Sequence, residues 1–173
     1  MSTTVLAARI RPAPRGIEGP SPAATPSEPA RSRWFPSRKN EPLGALPSLR
    51  GRTILVVDDD PDALELLHTI LESCGARVLA ASNTTHARGY LLTATPDLIV
   101  CDLAMPREDG PSFIHSMRSS NSVLARVPAV AVTAFYEDYP PRSAAEFTAY
   151  FQKPIDIDAL TRTIASLLPP LSR

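Results

Sequence analysis

Cysteine is scarce: only Cys74 and Cys101 occur in 173 residues. Two cysteines without CxxC spacing exclude a disulfide framework and a thiolate zinc or redox site. Histidine is scarce too, and His68, His86 and His115 lack metal-ligand spacing, which leaves them as helix-surface or packing residues. Neither GxxxxGK[ST] nor GxGxxG occurs, so nucleotide phosphates have no glycine-rich cradle. No apolar stretch is long enough to span a bilayer. The N-terminus has no secretory apolar region. These absences predict a reduced, cytoplasmic setting, where Cys101 inside an apolar run acts as a small hydrophobe.

Net charge is also lacking, but the formal zero conceals an asymmetry. Residues 1–50 hold eight basic against three acidic groups, net +5, while residues 51–173 hold ten against fifteen, net −5. Nine of the 19 prolines fall in the first 50 residues. Proline fixes φ and removes a donor, so neither helix nor sheet propagates through such a stretch. With few large apolar groups, residues 1–51 read as a disordered Pro/Arg-rich extension. A basic cluster of Arg31, Arg33, Arg38 and Lys39 surrounds Trp34 and Phe35. It could touch nucleic acid, membrane or a partner protein, but composition favours a solvated linker. The extension is expected to share no core with the rest of the chain, so removing residues 1–50 should barely affect stability.

From residue 52 the pattern alternates between strands and helices. "TILVV" (53–57), "RVLAA" (77–81), "DLIVC" (97–101), "PAVAV" (128–132) and "AYFQ" (149–152) read as strands. Asp60-Pro61 gives an N-cap followed by proline, and Leu64, Leu67 and Leu71 form a helical stripe that Gly75 ends. Ser82 or Asn83 can cap a second helix through Leu92, and a third runs from about Pro111 to Ser120. Asp109-Gly110 reads as an ordinary turn pair. Asp156 caps a last helix carrying Leu160, Ile164 and Leu167. Five such units predict an α/β fold, a doubly wound parallel sheet covered by helices on both faces. The predicted domain spans 52–169, with 170–173 a short tail.

In open parallel sheets the functional crevice lies at the carboxyl ends of the strands. The first strand delivers Asp58, Asp59 and Asp60 to that edge, the third Asp102, the fourth Thr133 and the fifth Lys153. Clustered carboxylates without His or Cys suit a hard cation with oxygen ligands, namely Mg²⁺. Carboxylates, a hydroxyl, an ammonium and Mg²⁺ together suit phosphoryl transfer, with a carboxylate as possible nucleophile. Asp60 and Asp62 also read as a cap and a first-turn charge. Thr133 and Tyr150, taken singly, read as a strand residue and a core aromatic.

In order and spacing, "VVDDD", "DLIVCDLAMPREDG", "VPAVAVTAF" and "YFQKPI" resemble the receiver domain of two-component response regulators. The resemblance implies a flavodoxin-like (βα)5 sheet of strand order 2-1-3-4-5. It implies that Asp59 binds Mg²⁺ directly and Asp58 through water, that Asp102 accepts the phosphoryl group and ligates the metal, and that Ala104 adds a backbone carbonyl. It further assigns Thr133 to a phosphoryl oxygen, Tyr150 to the aromatic switch and Lys153 to the phosphate bridge, with a cis Lys153-Pro154 bond. The implied partners are a sensor histidine kinase or histidine phosphotransfer protein and an unidentified downstream protein. No direct DNA binding by the receiver and no membrane span are expected, nor any catalysis beyond the domain's own phosphorylation and dephosphorylation. Ala104 and Phe135 would flank the hydrolytic water without a polar group to orient it, implying slow loss of phosphate.

Some features depart from that pattern. Pro140-Pro141 falls where a fourth helix should run, and Glu146 stands where glycine is common. Only "PPLSR" follows Leu168, which suggests a stand-alone receiver. Two alternatives compete: a haloacid-dehalogenase-like, Mg²⁺-dependent phosphatase starting from Asp58-x-Asp60, and a degenerate, unphosphorylated receiver adaptor. The short chain and its third-strand loop weigh against the first, and the intact acidic, Thr and Lys set against the second.

Overall fold

A computed structural model describes residues 46–120, 122–134 and 146–170. Strands β1 (Thr53–Val57), β2 (Arg77–Ala81), β3 (Leu98–Asp102), β4 (Ala129–Thr133) and β5 (Ala149–Gln152) form one sheet. All neighbours run parallel, in the order β2-β1-β3-β4-β5. Helices α1 (Pro61–Ser73), α2 (Thr84–Leu91), α3 (Gly110–Arg118) and α4 (Ile157–Leu167) connect or follow them, with a 3₁₀ turn at Val123–Arg126 that the sequence pattern did not suggest.

Strand alternation divides the core into two layers. Leu55, Val57, Ile99, Cys101, Ala129 and Ala131 face Ala87 of α2 and Phe113, Ile114 and Met117 of α3. Ile54, Val56, Leu98, Val100, Val130 and Val132 face Leu67 and Leu71 of α1 and Leu160 and Ile164 of α4. β3 and β4 are buried at every position, which is why they read as unbroken apolar runs.

The helix starts follow their side chains. Asp60, Asn83, Asp109 and Asp156 each accept a backbone N–H from the first turn of the helix they precede. Asp109 is therefore a cap, not half of an ordinary turn, and α3 begins one residue earlier than the expected Pro111 and ends at Arg118. Gly75 takes φ +91° just past α1, the left-handed stop that glycine adopts without strain.

β3 and β4 each begin one residue later than the pattern predicts. Asp97 is occupied otherwise: its carboxylate accepts Thr53 N–H at 2.8 Å and Arg52 Nη1 at 3.1 Å. Pro128 has no N–H, and only its carbonyl joins the ladder, accepting Ile99 N–H. As a result Asp102 and Thr133 are the last residues of their strands, fixed in the sheet.

Residues just before the expected boundary at 51 and 52 pack on the domain. Leu49 is only 2% exposed and packs in the α1/α4 layer, and its N–H donates to Cys74 O at 2.7 Å. The Arg50 side chain lies against Gly75, and Arg52 bridges Asp97 and the Pro169 carbonyl. Composition conceals this attachment, because Pro47 and Arg50 make the segment look like the stretch before it. The basic cluster around Trp34 and Phe35, the Pro140-Pro141 region and Phe135 lie outside the described residues.

Candidate functional site

Parallel register brings the ends of β1, β3 and β4 together. Val57 pairs with Cys101, Asp102 with Val132, and Thr133 with Gln152, so the residues at or just beyond those positions share one edge. Asp58 is 1% exposed, Asp102 7% and Thr133 1%, whereas Asp59 reaches solvent. One oxygen from each of Asp58, Asp59 and Asp102 lies within 4.8 Å of the others.

Lys153 crosses this group. Its Nζ donates to Asp58 Oδ2 at 2.8 Å and to Asp102 Oδ2 at 3.3 Å, and its backbone N–H donates to Thr133 O at 2.8 Å. The Lys153-Pro154 bond is cis, as expected. The second Asp58 oxygen accepts Asp60 N–H at 3.1 Å, and Asp102 Oδ1 accepts Ala104 N–H at 3.3 Å. Asp60 itself turns away to cap α1. That removes the second acid an Asp-x-Asp phosphatase would need.

The electrostatics follow from burial. Burial pushes the Asp58 pKa up, and the hydrogen bond and charge of Lys153 only partly offset it; the nearby Asp102 charge adds to the rise. Burial by itself would lower the Lys153 pKa, but the bond to Asp58 and the charges of Asp58 and Asp102 outweigh it and raise the pKa. Three carboxylates thus face one ammonium, leaving negative charge in excess. The donor set is all oxygen, which fits a hard divalent cation such as Mg²⁺ rather than zinc or copper.

Tyr150 lies on β5 away from this edge, 2% exposed, its ring edge-on to Phe147 with centroids 5.4 Å apart. Cys101 is fully buried and its thiol donates to the Asp102 carbonyl. Burial, reinforced by the Asp102 charge, raises its pKa well above the ordinary thiol value, in keeping with a packing role. Sequence reasoning missed Gly110. A Cβ there would meet the Asp102 carbonyl oxygen at 2.1 Å, so the start of α3 can approach the end of β3 only without a side chain. The signal was the Asp-Gly pair just before a helical pattern, read for its turn and not for close approach.

Comparison with known proteins agrees with this geometry. The model of the response regulator receiver domain matches residues 54–165. An uncharacterized 14.6 kDa protein of Leptolyngbya boryana is 39% identical over 113 residues, covering 64% of this chain and 86% of that protein. Response regulator Rre1 of Synechocystis sp. is 32% identical over 119 residues, 67% of this chain. The match covers 51% of Rre1, so the chain spans about half the length of that regulator. The crystal structure of response regulator protein TrrA from Thermotoga maritima in complex with Mg²⁺-BeF superposes with a TM-score of 0.61 at 26% identity. That superposition covers 68% of this chain and 99% of TrrA.

Proposed function

Because this chain belongs to the response regulator receiver domain family, whose members accept a phosphoryl group to relay a signal, we propose that Asp102 is the residue that accepts it. The observation that carries this assignment is that Asp102 shares Lys153 Nζ with Asp58 while one of its oxygens lies within 4.8 Å of both members of the acidic pair. Asp58 has both oxygens engaged and is almost wholly buried, and Asp59 lies at the outer side. Asp102 stands on the central strand with Lys153 Nζ at its Oδ2 and Thr133 ending the next strand.

In the proposed step a carboxylate oxygen of Asp102 attacks phosphorus, the P–N bond of a donor phosphohistidine breaks, and the imidazole leaves with its electron pair. The product is an acyl phosphate on Asp102. Asp58, Asp59 and Asp102, with the Ala104 carbonyl, would hold Mg²⁺, which supplies neutralisation of the charge on the transferring group. Lys153 exchanges one carboxylate for a phosphoryl oxygen, and the Thr133 hydroxyl binds another. Tyr150, on β5 and three residues before Lys153, conveys the change as the switch. The donor is a sensor histidine kinase or a histidine phosphotransfer protein in the cytoplasm, and the output is a protein–protein contact without direct DNA binding. The domain catalyses only its own phosphorylation and dephosphorylation. Among the described residues no helix is long and apolar enough to cross a membrane.

Incubation with Mg²⁺ and acetyl phosphate, followed by mass spectrometry, tests the assignment. One acid-labile phosphate on Asp102 is expected, and Asp102→Asn should lose it while keeping its melting curve. Full labelling of that variant would refute Asp102 as acceptor.

A further inference from the structure

The loop Leu103–Asp109 leaves Asp102 and returns at Gly110. Its base is held locally: Ala104 N–H reaches Asp102 Oδ1, and Gly110 N–H donates to Leu103 O at 3.0 Å. Its far end is less regular. Arg107 has φ +71°, a left-handed conformation uncommon for a residue with a Cβ, and Glu108 N–H closes on Pro106 O at 2.9 Å. A side chain from a different helix holds this end in place. Arg88 of α2 donates from Nη2 to Glu108 Oε1 at 2.7 Å and to Ser116 Oγ of α3 at 2.9 Å. Its guanidinium carbon lies 5.2 Å from the ring centroid of Phe113, which is fully buried. Ser116 in turn donates to Phe113 O at 2.7 Å. The guanidinium is therefore fixed by a ring, a hydroxyl and a carboxylate at once.

We propose that Arg88 is a positioning residue for phosphoryl transfer: through Glu108 it fixes the loop that begins at Asp102 and carries Ala104, and so tightens Mg²⁺ binding at the acidic pocket. This rests on the proposed roles of Asp102, Asp58 and Asp59. Arg88 touches no reacting atom. Its side chain is 45% exposed and that of Glu108 31%. An ion pair that open contributes little to folding, so its role should appear in the pocket and not in the melting temperature.

Simple charge effects give the opposite sign. Removing a cation near an acidic pocket by charge alone makes Mg²⁺ bind more tightly, whereas releasing the loop makes it bind more weakly. Mg²⁺ titration by calorimetry, and phosphorylation by acetyl phosphate at varied Mg²⁺, separate the two. Arg88→Met should raise the Mg²⁺ dissociation constant by about two- to fivefold, the range of one exposed ion pair. Its phosphorylation rate should return to within about twofold of the parent at saturating Mg²⁺. Arg88→Lys, which keeps a cation for Glu108, should recover most of the affinity. In a Glu108→Gln background, Arg88→Met should add nothing further. Unchanged or tighter Mg²⁺ binding in Arg88→Met overturns the proposal, and so does an undiminished loss in the Glu108→Gln background. A parent protein unlabelled at Asp102 refutes the phosphoacceptor reading instead. A normally labelled parent with an unaffected Arg88→Met refutes only the role of Arg88.

Discussion

Leu49 offers the sharpest test of where the folded unit begins. It is 2% exposed, shares the α1/α4 layer with Leu71, Cys74 and Ala76, and adds a backbone bond to Cys74 O. Truncating a buried leucine to alanine costs about 2–5 kcal/mol, depending on how far the site collapses. Here the lower end applies, because Leu49 lines a cavity of about 210 Å³ at the domain rim with Arg50, Ala165 and Leu168, and those neighbours can close in. For a domain of about 125 residues, an unfolding entropy near 2.1 cal/mol/K per residue gives about 4 °C per kcal/mol, so Leu49→Ala should melt about 8–12 °C lower. Calorimetric melts of four proteins decide the matter: the full chain, Leu49→Ala, a chain lacking residues 1–45 and one lacking 1–50. The first and third should agree within about 2 °C, since the Pro-rich composition before residue 46 gives it little apolar surface to bury. The second and fourth should fall together. A normal melt for Leu49→Ala, or a loss already complete on removing 1–45, would refute this account of the boundary.

Asp59→Asn removes one anionic oxygen ligand and should weaken Mg²⁺ binding by about tenfold in calorimetric titration, with little change in the ion-free melt because Asp59 is exposed. Gly110→Ala forces a Cβ against the Asp102 carbonyl; the α3 start must shift, so both the melting temperature and the acetyl phosphate labelling rate should drop, and unaltered values would show that the approach is looser than described. The Lys153 pKa is raised above its ordinary 10.5, so its pairing stabilises fully below that pH and is lost as pH rises through the higher folded value. While Asp58 and Asp102 are ionised, the stability gap between the parent and Lys153→Met, from urea titrations, should therefore stay constant from about pH 8 to about pH 10 and narrow above it; a gap already closing as pH rises from about 8 to 9 would mean that another group controls it.

Most of the fold was legible because both periodicities are clean. Ile54 to Val57 and Leu98 to Cys101 form unbroken apolar runs, and α1 and α4 carry leucines and isoleucines three and four residues apart. The misplacements have local physical causes. Asp97 belongs by pattern to the strand after it, but its carboxylate is spent on Arg52 and Thr53, contacts 45 and 44 residues away in sequence. Leu49 is a single apolar residue between Pro47 and Arg50, and nothing in a period of two or 3.6 distinguishes a lone anchoring leucine from a chance one. At the site, strand ends predict which residues share an edge but not which atoms touch. The Asp58–Lys153 bond spans 95 positions, and the packing of Gly110 on Asp102 depends on the angle between a strand and a helix.

The arrangement at the edge is a poor one for stability alone. Well-packed apolar residues would serve an edge this buried at least as well as an ion pair, yet Asp58 is held where burial raises its pKa despite a lysine at 2.8 Å. One ammonium set against three carboxylates leaves an excess of two negative charges, the complement of a single divalent cation. A phosphoryl group arriving on Asp102 would add negative charge at the point where Lys153 Nζ is already shared between two carboxylates. The ammonium must then divide its attraction differently. Lys153 is also tied by its N–H to the Thr133 carbonyl and lies three residues beyond Tyr150, which packs on Phe147. A redistribution of charge at Lys153 would thus act on β4, which ends at Thr133, and on β5, which carries Tyr150. On the proposed assignment, the tension among Asp58, Asp102 and Lys153 would make the edge responsive to one added charge.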